Sequence, residues 1–222
     1  VPSVISTRPK PPAPPRFKGT PRPARLPDDD LVEDAMIRGV EYGGVSFAGQ
    51  HIELAEVEQT RFDSVRFTGA RTRQLVISDA EFTTCDLAQF RAEDTSLIRT
   101  VVTGSRLTGS SWSKSHFLDV TFDGRADMSH WRHSVFKAAA FTDCNLRQAD
   151  FQWASLRDVT FTNCELTGTQ FAHAEMTRVR FENCTMHDIG GGQHLKGATV
   201  QGPGAMEFAL ALARDAGIRI EP

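Results

Sequence analysis

The chain has 222 residues, 25 basic and 28 acidic side chains for a formal charge of -3, and 40% apolar content. No apolar run approaches the roughly 18 residues of a membrane span, and no charged-then-apolar leader opens the chain. These features lead us to expect a soluble, cytoplasmic protein without a membrane span or secretory signal.

Residues 1–27 are the first element. They hold nine of the eleven prolines and six basic residues (Arg8, Lys10, Arg16, Lys18, Arg22, Arg25), with no acid. Such a segment buries too little apolar surface to offset its ordering entropy, so it is expected to be extended or disordered. It reads as a solvated linker, or as an electrostatic tether to nucleic acid or an acidic partner. Asp28, Asp29 and Asp30 offer caps for a short turn or helix starting near Leu31, which places the tail at 1–30.

From about Ala35 to Asp188 the chain keeps a five-residue rhythm. Large residues recur from Ile37, Tyr42, Phe47 and Ile52 through to Phe117 and Phe122, with Thr72 and Ala92 as the weak members. The column resumes one residue out of phase from Trp131, Phe136 and Phe141 to Phe181 and Met186, because Gly124-Arg125-Ala126-Asp127 replaces a pentad with four residues. Two places before each centre the residue is small, except at Gln50, Leu75 and Phe90. A helix repeats at 3.6 and a strand at 2, so a period of five means a chain that turns a corner in every pentad, with both columns inward. Cys144, Cys164 and Cys184 are spaced by 20, and Cys85 precedes Cys144 by 59, the slip accounting for the missing residue. Four pentads therefore make one coil. Seven to eight coils are expected between 31 and 201, a rod of roughly 35–40 Å.

Segments such as Ala149-Asp150-Phe151, Cys144-Asn145-Leu146, Cys85-Asp86-Leu87 and Ala80-Glu81-Phe82 resemble the pentapeptide-repeat family, whose consensus is Ala-(Asp/Asn)-Leu-x-x. The resemblance covers about two-thirds of the chain. It implies an all-β solenoid, a right-handed quadrilateral β-helix.

Beyond Met186 the rhythm breaks at Gly190-Gly191-Gly192 and returns briefly at Leu195 and Val200. Residues 202–222 form the last element. Pro203 near the start and Gly217 past the end bracket a helix over Ala205–Ala216, followed by a short strand, Ile218-Arg219-Ile220. Met206, Phe208, Leu210 and Leu212 are too apolar for a free helix and predict a cap on the open coil or a homodimer seam. In gyrase-binding members of the family the C-terminal ends meet in a dimer, which the resemblance implies as one use here.

No enzyme is expected. None of the seven histidines falls on an inward column, and His130 and His133 straddle the inward Trp131, so neither a metal nor a cofactor site is predicted. The inward serines, such as Ser105, Ser110 and Ser115, have no inward companion histidine and read as simply small. The cysteines read as buried, reduced thiols without the Cys-x-x-Cys spacing of zinc sites. Function then lies on the outside.

Family members that bind DNA gyrase imitate the width and charge of duplex DNA and protect the enzyme from its poisons. The resemblance thus implies a protein-binding rod directed at a type II topoisomerase, with no direct nucleic-acid binding by the rod. A scaffold or adaptor with a target unrelated to DNA is the alternative. Residues 45–188 carry 19 acids and 15 bases. The acidic candidates for contact lie on the face where Phe62, Phe82, Phe122, Phe141, Phe161 and Phe181 form a ladder with Val102 in its one gap: Asp79, Glu81, Asp119, Asp123 and Asp158, alongside Arg61, Arg99, Arg178 and Arg180.

Overall fold

The computed structural model describes residues 8–219, so the first seven residues of the Pro-rich segment and Ile220 of the expected terminal strand lie outside the described residues. The pentads form a β-solenoid in which all paired strands run parallel, each on the strand one coil earlier. The cause of the period is visible in the backbone. The residue two places after an inward centre repeatedly takes positive φ, as at Leu54, Gln59, Ser64, Gln74, Asp79 and Thr84 (51° to 56°). One left-handed residue per pentad turns the corner, a conformation that Asp, Asn and Gly adopt most readily.

Register bears out the two inward columns. On the ladder face Tyr42, Phe62, Phe82, Val102, Phe122, Phe141, Phe161, Phe181 and Val200 align coil upon coil, nine rungs rather than the seven to eight expected. The additional rung comes from Ala198–Gln201, which rejoins the sheet after the glycine break. Eight steps of about 4.8 Å give a ladder of roughly 38 Å. Phe141, Phe161 and Phe181 stack at 4.9 Å with interplanar angles of 6° and 7°. The phase slip falls where expected: the register moves from Val102↔Phe122 to Ser105↔Gly124. Gly124 holds φ 134°, and a Cβ there would meet the Ser105 carbonyl oxygen at 2.3 Å, so only glycine closes the shortened pentad.

Both ends of the rod differ from the middle. Asp28–Asp30 start no helix: the chain turns, and Leu31 is buried. Asp29 is held by Arg22, accepts the Arg25 N–H at 2.7 Å, and its carbonyl accepts the Tyr42 hydroxyl at 2.7 Å. At the far end a 3-10 turn, Gly192–His194, precedes the α-helix Gly204–Asp215. That helix lies against the last coil. Gly192 N–H donates to Asp215 (2.8 Å), Arg214 donates to Asp188 and to the Ile189 carbonyl (both 2.8 Å), and His187 meets Glu207 at 3.0 Å. Phe208 packs against the core while Met206 and Leu210 stay exposed. Ile218 is not in a strand; its N–H donates to the Ala213 carbonyl, closing the helix end beyond Gly217 (φ 74°).

Candidate partner-binding surface

The five acidic candidates do not make one uniform patch. Asp79, Asp119 and Asp158 occupy the left-handed corner beside the phenylalanine ladder, on every second rung. Arg99 and Arg178 occupy the rungs that follow Asp79 and Asp158 in the same corner. Arg99 forks onto Asp79 at 2.6 and 2.7 Å, and Arg178 onto Asp158 at 2.6 Å through both nitrogens. The two aspartate side chains are only 7% and 9% exposed. These guanidiniums, opposed by burial, hold both carboxyls below the usual carboxylate range. Glu81 stands on the adjoining strand, paired with Arg61 at 2.8 Å, and Asp123 is half-buried next to Phe122.

What covers this corner is the Pro-rich segment. From Arg8 it is extended along the rod, and backbone N–H groups of Lys10, Ala13 and Arg16 donate to Asp158 (3.1 Å), Asp119 (3.0 Å) and Asp79 (2.9 Å). Lys18 N–H donates to Gln59 at 3.3 Å, and the Phe17 ring lies under the Arg61 guanidinium, 4.7 Å from its centroid. Arg22–Pro23 then pairs with Val40–Glu41 at the base of the stack. The disordered alternative therefore does not describe residues 8–27.

The match follows from two pitches. Lys10-Pro11-Pro12-Ala13-Pro14-Pro15-Arg16 is an X-Pro-Pro triplet repeat, in which only X carries an N–H. A polyproline II segment advances about 3.1 Å per residue, so free N–H groups recur every ~9.3 Å. Two parallel rungs span about 9.6 Å. An aspartate on alternate rungs thus meets each free N–H, and a segment lacking internal hydrogen bonds finds acceptors at low ordering cost. The triplet and the alternate-rung aspartates were both legible in the sequence, but not their meeting.

Cys85, Cys144, Cys164 and Cys184 are buried and free, each near a backbone carbonyl such as Phe62 O for Cys85 (3.3 Å). Burial pushes the Cys85 thiol up to about 11, and the neighbouring Cys144 thiol is the first cause that pushes Cys164 up to about 12, so neither is a nucleophile at neutral pH. The inward serines are more than small. Ser110 and Ser129 accept the indole N–H groups of Trp112 (3.0 Å) and Trp131 (2.7 Å), and Ser105 accepts the Cys85 N–H at 3.0 Å. Among the described residues no three His, Cys, Asp or Glu side chains converge as a metal site, and no helix is long and apolar enough to cross a membrane.

Residues 134–190 match the family model described as pentapeptide repeat region. That stretch is a pentapeptide repeat region, and the same pentads and left-handed corners continue on both sides of it. Among solved structures it is similar to trypsin-treated QnrB1, a plasmid-mediated fluoroquinolone resistance protein, at 15% identity over 85% of this chain and 99% of that one, TM-score 0.30. It is also similar to HetL, a pentapeptide repeat protein involved in heterocyst differentiation regulation from the cyanobacterium Nostoc, at 14% identity over 76% and 87%, TM-score 0.35. No curated protein matches the sequence.

Proposed function

We propose that this is a non-enzymatic protein-binding rod that offers its acidic corner to a basic partner, with a type II topoisomerase as the leading target, bound in the manner of DNA. The observation that supports this reading is the pairing of Asp79, Asp119 and Asp158 with a basic segment of the same chain. With Asp79 and Asp158 paired to Arg99 and Arg178, the charge left for a basic channel is that of Asp119 and Asp123, beside carboxylates that already accept backbone N–H groups of a basic segment. The strap then acts as an internal competitor that the partner displaces. A homodimer through the exposed Met206 and Leu210 belongs to the same reading, doubling the rod's length.

The test is a gyrase supercoiling assay with three forms of the protein: the full chain, the chain lacking residues 1–19, and Asp119→Asn/Asp123→Asn/Asp158→Asn. Removing the strap uncovers the column and strengthens inhibition. The triple Asn variant weakens it and flattens its salt dependence, since attraction between such charges is screened within about 8–10 Å. Inhibition abolished by strap removal, or unchanged in the Asn variant, refutes the reading. Sedimentation of the chain ending at Gly202 checks the dimer: a mass equal to that of the full chain counts against a seam at the helix.

A further inference from the structure

A different face carries the second site. His51–Glu53, Arg71–Arg73, Arg91–Glu93 and Ser111–Ser113 make a separate four-stranded parallel sheet, which lines an open trough of about 720 Å³. Along one edge His51, Arg71, Arg91 and Ser111 stand in register on successive strands, and His130 bridges to Ser111. At about 4.8 Å per strand the row of five spans roughly 19 Å. The next row neutralises itself, Arg73 meeting Glu53 at 2.9 Å and Lys114 meeting Glu93 at 3.7 Å. Among the described residues Arg71 and Arg91 form no ion pair, although they face each other directly across the ladder. Like charges so placed are destabilising, and an anion between them removes that cost.

The floor of the trough is where the repeat departs from its own rule. Thr72 and Ala92, side by side in register, are the small inward residues on a face that otherwise presents Ile52, Trp112 and Trp131. Leu75 and Phe90, large where the column is small, refill the interior from the corners, with the Phe90 ring 5.0 Å from Trp112. Two exchanges of volume between neighbouring inward places keep the interior filled beneath this face. Departures from local consistency of this kind collect at functional sites.

We propose that the trough binds a small phosphate-bearing ligand, its phosphoryl oxygens held between the guanidinium forks of Arg71 and Arg91. The planar fork suits phosphate, and the volume lies within the range of small-molecule sites. The Ser111 hydroxyl and His51 extend the row on either side. His130 ends it, 3.9 Å from an Asp150 carboxylate that Arg132 already occupies. A row of this length suits a linear oligophosphate or a nucleoside triphosphate better than a single phosphate. This goes beyond the acidic corner and is independent of any topoisomerase.

Calorimetric titration of the full chain with tripolyphosphate, ATP and orthophosphate at matched ionic strength tests it. Saturable binding of tripolyphosphate is expected, with orthophosphate at least about tenfold weaker. Arg71→Gln/Arg91→Gln lowers tripolyphosphate affinity at least about tenfold without lowering ligand-free melting, because both side chains are exposed and their mutual repulsion is relieved. Lys137→Gln/Arg157→Gln, a second in-register basic pair outside the trough, leaves binding unchanged. ATP tighter than tripolyphosphate assigns the site to nucleotides, and equal affinity assigns it to the phosphate chain alone. Absence of saturable binding, or equal loss in the two double variants, overturns the proposal.

Discussion

The two halves of the rod use one backbone and two grades of interior. Over 134–190, the stretch that the family model matches, nearly every inward place obeys the repeat: Phe, Leu or Met at the centre, and Ala, Cys, Ser, Thr or Val two places earlier. There the rings stack without a gap, Phe151 on Phe171 at 5.5 Å beside Phe141 on Phe161 at 4.9 Å. The earlier half keeps the corners and the register but not the code. Val102 interrupts the ladder, Thr72 and Ala92 shrink one wall, Gln50 buries a side-chain oxygen without a partner, and a void of about 20 Å³ runs among Phe62, Phe82, Phe90 and Val102. The comparison teaches that the solenoid backbone is set by the corners and the parallel ladder, which tolerate a ragged core, while the core sets how much each rung contributes. The ragged half also bears the trough.

Breaking the regular half should show the largest effect. Phe141 is fully buried between Phe122 and Phe161, so Phe141→Ala removes two stacked contacts and opens a cavity that neighbouring coils cannot collapse into. A loss of about 3–5 kcal/mol is expected from denaturant unfolding. A loss below about 1 kcal/mol would mean that the ladder is not what binds adjacent coils. Gly124→Ala comes next, at roughly 2–3 kcal/mol, because its Cβ has no room against Ser105 and its φ is left to glycine. Relaxation of the slip without loss of stability, seen as an unchanged denaturation midpoint, would show that the shortened pentad does not need glycine.

Much of this was readable before any coordinates, for a physical reason. The pentad centres, the slip at Gly124 and the helix between Pro203 and Gly217 are local patterns repeated or bracketed in sequence, and each appears within a residue or two of its expected place. Two features resisted. The Pro-rich segment has no local preference for order; it is held by acceptors up to 148 residues away, and the pitch match belongs to neither partner alone. The pairing within the acidic face was hidden for a related reason. Asp79 and Asp158 counted as outward charge, yet Arg99 and Arg178, each 20 residues later, neutralise them one rung away. The trough was written in the sequence as Thr72, Leu75, Phe90 and Ala92, but as four unrelated exceptions to a rule.

The strap gives an effect of intermediate size that depends on pH. Asp79 and Asp158 have lowered carboxyl pKa values, caused first by Arg99 and Arg178 and also by the Arg16 and Lys10 N–H groups. A carboxyl with a depressed folded pKa contributes stability that is complete above its unfolded value near 4 and is lost as pH falls through the folded value. The strap should therefore stay docked at neutral pH and loosen below about pH 4. Asp29, held at about 2 chiefly by Arg22, ties the base of the strap in the same acid-sensitive sense. Amide chemical shifts of Lys10, Ala13 and Arg16 followed from pH 7 downward report it. Flat shifts through the acid range, or release on raising the pH, would contradict the assignment.

Val102→Phe sharpens the comparison from the other side. A ring there completes the ladder between Phe82 and Phe122 and fills the adjacent void. A gain of about 1 kcal/mol is expected, against a cost of about 1–3 kcal/mol had the site been tightly packed. Destabilisation would mean that the gap is required, as it would be if Phe90 and Leu75 already claim that space.

The smallest effect should come from the outer surface of the regular half. Gln152 is half-buried, directly after Phe151, and its bonds are made by the backbone: its N–H donates to Asp150 at 2.9 Å, and its carbonyl accepts the His133 N–H at 3.2 Å. Truncation to alanine keeps both bonds and removes only a polar side chain that makes no hydrogen bond among the described residues. Gln152→Ala should therefore stay within about 0.5 kcal/mol of the parent, with an unchanged denaturant slope. The contrast with Phe141→Ala is the informative quantity, because the two sites lie two pentads apart on the same continuous stack. A Gln152→Ala loss that rivals the Phe141→Ala loss would place the cohesion of the rod in its outer polar rows rather than in its core. The idea that inward residues set what each rung contributes, while outward ones are left free for partners, would then fail.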